Sequence, residues 1–320
     1  MTTACIICAN TAGNEIFSIK ELQLGLNETF QYQLCKNCGS MQLLNPPEDF
    51  SRYYPNEDYY SFKMEMKELK KPGFLQQVKS GHILYGKNKL AGSLLSIGYK
   101  VPEQYNWVKN SKAQPNDAIL DVGCGNGSLL TRLYKMGFTN LTGIDPFINE
   151  GHDYGPIKIF KKEIHDLDRR FDLIMMHHSL EHMFQPLQAL QKAYSLLNKN
   201  KYLLVRIPVM GNYGWQHYKT YWCGLDAPRH IFIPSEHGMR MLATAAGFEI
   251  EKVEYDSNDY VIWCSEQYMK GIPLHGAESW SINRNKSLFT KEKIKEFQQK
   301  IMNENEKNNG DTAAYYLKKK

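Results

Sequence analysis

Leu120-Asp121-Val122-Gly123-Cys124-Gly125-Asn126-Gly127-Ser128 decides the fold of this chain. The apolar run Ala118 to Val122 stops at a glycine, and helical periodicity follows from Leu129 to Met136, ending at Gly137. A strand that turns through glycines into a helix brings backbone amides close to a ligand. The next strand, Leu141-Thr142-Gly143-Ile144-Asp145, ends at Pro146 and puts an acid, Asp145, 22 residues after Gly123. An acid one βα unit downstream suits ribose hydroxyls. The dinucleotide fingerprint would need its third glycine at position 128, which is Ser128. The pattern here is instead Asp-x-Gly-x-Gly-x-Gly; the plain alternative is a glycine-rich turn of some other α/β fold.

Working outward, strand and helix alternate over residues 113–256. Ile157 to Phe160 reads as a third strand, Phe171 to Met176 as a fourth, Tyr202 to Ile207 as a fifth and Phe248 to Tyr255 as a sixth. Gln185 to Leu197 reads as a helix with Pro186 in its first turn, and Ser235 to Ala246 as a helix capped by Ser235 and stopped by Gly247. Such alternation predicts a doubly wound, mostly parallel sheet covered by helices on both faces. Residues 1–50 form a cysteine-bounded unit with short strands near Ile16–Ile19 and Phe30–Leu34. Residues 51–112 read as a helical connector or lid, with Tyr53, Tyr54, Tyr59 and Tyr60 early. Its helical stretch from about Phe62 to Leu95 is expected to break at Pro72-Gly73 and Gly81. Residues 257–320 form an extension that completes the sheet: an irregular aromatic stretch to 290, a polar helix over Lys291 to Lys307, and a final strand, Ala313 to Leu317.

The chain has 320 residues, 42% hydrophobic and 23% charged, which excludes disorder, collagen and coiled coil as overall readings. Lys and Arg (39) exceed Asp and Glu (34) by 5, too little to imply nucleic acid or membrane by itself. No run of about 18 apolar residues is present. The N-terminus lacks a basic start and an apolar core, so a cytoplasmic protein is expected. Seven cysteines without a secretion signal argue against a disulfide framework. Cys5-x-x-Cys8 and Cys35-x-x-Cys38 have the spacing of a tetrahedral Cys₄ structural zinc site, with redox use of the pairs as the alternative. Lys20 and Lys36 are the only basic residues before Arg52, so nucleic acid is not the expected partner of this unit. The Lys318-Lys319-Lys320 tail offers weak contact with a membrane surface or is a solvated end.

The glycine loop, with Asp121 two residues before its first glycine and Asp145 downstream, resembles motif I of the class I S-adenosylmethionine (SAM) methyltransferases. Phe171-Asp172-Leu173-Ile174 and His178-Ser179-Leu180-Glu181-His182 are similar to further segments of that family. Asp226-Ala227-Pro228-Arg229-His230, Gly247-Phe248, Gly310-Asp311-Thr312-Ala313-Ala314 and the cysteine pairs resemble a subgroup of bacterial methyltransferases that act on sugars of surface polysaccharides. The resemblance covers nearly the whole chain. It implies a seven-stranded Rossmann-like sheet whose last strand is antiparallel, SAM as cofactor, and a small-molecule or glycan acceptor. It also implies that Gly123, Cys124, Gly125, Asn126 and Gly127 line the methionine part of SAM, with Asp121 beneath them. Asp145 would hold the ribose diol, with Pro146 and Phe147 near the adenine, Glu163 and Ile164 as further adenine contacts, and His177 at the edge of the site.

Methyl transfer is an in-line displacement that depends on alignment. A sugar hydroxyl needs a base to take its proton, worth about 10²–10⁴-fold. His178, at the end of the fourth strand, is the first candidate, followed by His230 and His182; each could equally be a structural or capping histidine. Arg229 could bind an acceptor phosphate or carboxylate, or pair with Asp226 to shape its loop. Tyr213, Trp215, Tyr221 and Trp222 could stack on a sugar or pack in the core. His178, Glu181 and His182 at i, i+3 and i+4 would share a helical face, and with His230 could hold a metal ion. Other readings are C-methylation of a nucleotide deoxysugar and a SAM-binding scaffold without catalysis.

Overall fold

The computed structural model describes residues 3–54, 69 and 71–320; Tyr59, Tyr60 and the start of the expected helical stretch lie outside them. The chain opens with β1 (Glu15–Lys20), β2 (Thr29–Leu34) and β3 (Met41–Leu43). Helices α1 (Phe74–Tyr85), α2 (Lys89–Ser96) and α3 (Glu103–Asn110) follow. Then come β4 (Ala118–Val122), α4 (Ser128–Lys135), β5 (Asn140–Ile144), β6 (His152–Asp153), β7 (Ile157–Phe160), β8 (Phe171–His177), α5 (Pro186–Leu196) and β9 (Leu197–Pro208). The chain closes with α6 (Tyr213–Tyr218), β10 (Phe232–Ile233), α7 (Glu236–Ala245), β11 (Glu249–Tyr255), α8 (Tyr260–Met269), α9 (Lys291–Glu306) and β12 (Thr312–Lys318).

The main sheet has the order β11-β12-β9-β8-β4-β5-β7-β6. β4 is parallel to β5 and β8, β5 to β7, and β8 to β9, whereas β12 is antiparallel to both β9 and β11. The mixed Rossmann-like sheet and its antiparallel last strand match expectation. Its strand number does not. An eighth strand, β6, pairs antiparallel on the outer edge through His152 and Asp153 alone, too short to leave a period in the sequence.

The strand period of two sorts the side chains between two cores. On one face Leu120, Val122, Ile174, Met176, Tyr315 and Leu317 pack on α5 and α7. On the other, Ile119, Leu173, Met175, Ala314 and Tyr316 pack on α3 and α4. Ser235 caps α7 as expected, its Oγ accepting from Gly238 N at 2.9 Å.

Two further expectations need correction. α1 runs through Gly81 and ends instead at Gly86, whose φ of 66° reverses the chain. The stretch after residue 256 is not irregular throughout, because α8 lies within it. Val261, Ile262, Trp263, Cys264, Ser265, Gln267 and Tyr268 are all buried there, so no polar face marks the helix. α8 belongs to a third core that also takes Ile19, Tyr32, Met41, Tyr213, Trp215, Trp222 and Phe297. Those aromatics of the 213–222 segment therefore serve packing, while Tyr221 stays exposed. β10 joins the N-terminal sheet, order β1-β2-β3-β10, so the cysteine unit is sealed by a strand nearly 200 residues downstream. Among the described residues no helix is long and apolar enough to cross a membrane.

Candidate functional site

A cavity of about 430 Å³ opens at the carboxyl ends of β4, β5 and β8, where open α/β sheets bind ligands. Gly123, Gly125, Asp145, Pro146, Phe147, Glu163 and Ile164 line one part of it; His178, Ser179, His182, Met183 and Phe184 line another, with Tyr54 beside them. Gly123 has φ 75°, and a Cβ there would lie 2.5 Å from the Cβ of Ser179, so both backbone and space demand glycine. The amides of Gly123 and Cys124 donate to Ile144 O at 2.8 and 3.1 Å, pinning the loop to β5. The Asp145 carboxylate accepts from Gly125 N at 3.0 Å and Phe147 N at 2.8 Å. Burial pushes its carboxyl above the usual range despite those bonds. Asp121 lies beneath the loop, buried, its carboxyl pushed up to about 8 by burial and then by the charge of Asp145.

Several predicted contacts point elsewhere. The Cys124 side chain is buried in the α3/α4 core. Asn126 Oδ1 accepts from Ser128 N and Oγ at 3.0 and 2.6 Å, and Gly127 is the N-cap of α4, so these two residues start the helix without lining the cavity. His177 has the strand parity of Leu173 and Met175, which turns its ring to the α3 face. There it packs 4.4 Å from the Trp107 ring, outside the cavity.

The histidine cluster is not the single helical face that the spacing suggests. Only Leu180–His182 is helical, a 3₁₀ turn, and His178 precedes it in the left-handed region at φ 50°. His178 Nδ1 lies 3.1 Å from Glu181 Oε1, and its Nε2 lies 2.5 Å from Arg206 Nη1. Burial raises the Glu181 carboxyl, but the hydrogen bond with His178 and the charges of His178, His230 and His182 outweigh it and hold it below the ordinary range. His182 Nδ1 faces Arg229 O at 2.9 Å, and burial, with the nearby His230, pulls its pKa down to about 4. His230 is buried, with Nδ1 on Gly224 O at 2.9 Å and Nε2 3.6 Å from Asp226 Oδ2. Glu181, His182 and His230 bring one donor atom each within 4.8 Å of one another; His178 stands outside this set, with Nδ1 on Glu181 and Nε2 on Arg206.

Arg229 is buried rather than presented to the cavity. It pairs with Asp226 at 2.5 Å and donates to Gln23 Oε1 and, at 3.4 Å, to Tyr53 O. Of its two readings, loop shaping is the one this placement supports. Tyr54 is one of the lining residues that motif reading missed, with Lys162, His165, Met183, Phe184 and Gln185 among the others. Its ring stacks on Phe147 at 5.7 Å and 13°, and its hydroxyl lies 3.3 Å from His182 Nδ1, so it spans both parts of the cavity. Only its place in an aromatic cluster at the start of the connector or lid marked it.

The four N-terminal cysteines converge. Cys5 and Cys38 Sγ are 3.6 Å apart, Cys8 and Cys35 Sγ 3.5 Å, and all four lie within 4.8 Å of one another. A tetrahedral zinc with arms of about 2.3 Å has edges of about 3.8 Å, so the set fits zinc. All four thiols are free, with no disulfide. Ser235 Oγ donates to Cys38 O, which ties this cluster to the start of α7.

Residues 105–253 match the model of a methyltransferase domain family. Over 39 residues the chain is 51% identical to an EEF1A lysine methyltransferase 2 of Danio rerio, covering 12% of this chain and 17% of that one. Over 107 residues it is 31% identical to the mitochondrial ubiquinone biosynthesis O-methyltransferase of Saccharomyces cerevisiae, covering 30% of this chain and 34% of that one. The chain thus spans well under half the length of either relative. Among solved structures, a mycolic acid cyclopropane synthase complexed with SAH and CTAB aligns over 86% of this chain and 99% of its own. Its TM-score is 0.47 at 13% identity.

Proposed function

We propose that the chain is a SAM-dependent methyltransferase that O-methylates a sugar of a nucleotide- or lipid-linked glycan precursor, with His178 as general base and zinc structural in the Cys₄ cluster. The observation that carries this reading is that His178, paired with the buried Glu181, opens on the same cavity as Gly123, Gly125 and Asp145. SAM supplies an electrophilic methyl group: the acceptor oxygen–carbon bond forms as the carbon–sulfur bond breaks, and the electron pair leaves on sulfur. The glycine loop would let the methionine part pass close to the backbone at Gly123 and Gly125, which line the cavity. Asp121 beneath the loop would answer the amino group, Asp145 the ribose, and Phe147 with Tyr54 the adenine. Glu181 accepts the Nδ1 proton of His178 and leaves Nε2 basic. An acceptor hydroxyl would replace Arg206 at that nitrogen and give it the proton. Arg206 is held nearby through Asp256, Nε to Oδ2 at 2.7 Å.

The test is a mass-spectrometric screen with SAM and a panel of nucleotide-linked sugars, repeated with His178→Ala. A methyl-sized mass gain that the variant loses supports the reading, and fragmentation separates oxygen from carbon as the acceptor atom. A gain unchanged in His178→Ala removes the assigned base. Intact SAM binding without turnover on nucleotide-linked, lipid-linked or polymeric glycans favours a binding scaffold.

A further inference from the structure

α1 and α2 form a hairpin on the outside of the molecule. Ser93 Oγ meets His82 Nε2 at 3.4 Å and Lys79 Nζ sits 3.7 Å over the Tyr99 ring, so α2 and the residues after it run back along α1. Gly92 is buried where α2 crosses His82, and any Cβ there would collide with that imidazole. The inner face of α1 is fixed to the body: Val78, Ser80 and Leu84 are buried, and Ser80 Oγ bonds the Tyr105 hydroxyl of α3 at 2.9 Å.

With Gly92 facing inward, Leu90, Leu94 and Ile97 at i, i+4 and i+7 face outward. They are 87%, 70% and 77% exposed. Phe74 (78%) and Leu75 (64%) at the start of α1 extend the exposed apolar surface. Isolated exposed aliphatics are ordinary, but four large apolar residues on two adjoining helices, with Ile97 at the C-cap of α2, mark an interaction surface. Its charge is one-sided. The described residues 71–102 contain five lysines (Lys71, Lys79, Lys87, Lys89 and Lys100) and no aspartate or glutamate. By contrast, the lysines of the C-terminal tail are engaged: Lys318 with Glu251, Lys319 with Tyr194 O and Lys320 with Glu249.

We propose that the α1–α2 hairpin docks on an anionic lipid bilayer, Leu90, Leu94 and Ile97 entering the interface while the lysines meet the headgroups. Exposed apolar side chains on a segment whose charged residues are all lysines are the composition of interfacial helices. A second copy fits poorly, because a two-fold contact would set this lysine-only surface against itself. The inference stands on this surface alone and does not depend on which acceptor is methylated.

The test is co-sedimentation of the full chain with phosphatidylcholine vesicles, with and without phosphatidylglycerol, at low and high salt. Leu90→Glu/Leu94→Glu is compared with Lys87→Glu/Lys89→Glu; all four positions are exposed, and circular dichroism and SAM titration confirm that each variant is folded. The expected result is binding only to phosphatidylglycerol vesicles, weakened by salt, and reduced by more than about tenfold in either variant. No binding to those vesicles, or binding by both variants as tight as the parent's, overturns the proposal. So does a dimer in light scattering that Leu90→Glu/Leu94→Glu dissolves, since a second copy would then own the face.

Discussion

His178 Nδ1 lies 3.1 Å from Oε1 of Glu181, a carboxylate with no exposure to solvent. The pair crosses an environmental boundary: His178 is open to the cavity, whereas Glu181 is enclosed by His178, His182 and His230. A buried carboxylate that fixes an imidazole tautomer acts through the histidine. Glu181→Gln should therefore lower kcat by about 10–10²-fold and His178→Ala by about 10²–10⁴-fold, with SAM affinity nearly unchanged in both. Steady-state kinetics paired with SAM titration checks this. An unaltered kcat in Glu181→Gln would leave the pair without a catalytic role.

The cysteine cluster and the start of α7 share one hydrogen-bonded joint, with Ser235 Oγ reaching Cys38 O and Ser235 N donating to Ser40 Oγ at 3.0 Å. Loss of metal should loosen both. Elemental analysis is expected to find one zinc per chain. Cys38→Ala should lose the zinc and melt well below the parent, while Ser235→Ala keeps zinc and loses about 1 kcal/mol of stability. A Cys38→Ala protein that melts with the parent would sink the structural reading.

The buried Asp121 gives a pH signature. Its folded carboxyl sits at about 8, against about 3.9 in an unfolded chain. A raised folded pKa means that its stabilising contribution is whole below about pH 4 and is lost as pH rises through about 8. Without SAM, Asp121→Asn should therefore melt above the parent at pH 8, and the gap should close toward pH 4. Thermal melts of both proteins across that range decide it. A gap constant with pH would mean that Asp121 does not titrate there.

How much of this was legible beforehand follows from what each feature depends on. β4, β5, β8 and β12 are mostly apolar and buried on both faces, and the glycine loop lies between two of them, so strand, turn and helix were all readable near Gly123. α8 was not, because a helix buried all round has no polar stripe. Neither was β6, whose two residues gain their conformation only from pairing with β7. The histidines were found as a group, but their geometry turns on the left-handed φ of His178, which sends its ring toward Arg206 instead of along a helix. The pairing of Arg229 with Asp226 was one of two local readings; its contact with Gln23, about 200 positions earlier, spans a distance that no local pattern covers.

Tyr54 is the strongest case of a residue that only the assembled fold reveals. It stacks almost flat on Phe147, which is itself 63% exposed, and its hydroxyl reaches toward His182. An aromatic pair of this kind is worth about 0.5–1.5 kcal/mol beyond its buried area, or about 2–10-fold in binding. Tyr54→Ala should weaken SAM binding by that factor, and Tyr54→Phe, which keeps the stack and removes the hydroxyl, should restore it. The two variants separate ring from hydroxyl: a loss shared by both assigns the effect to the contact with His182. No loss in either would place the adenine away from Phe147, because an adenine seated beside that ring cannot avoid the tyrosine stacked upon it.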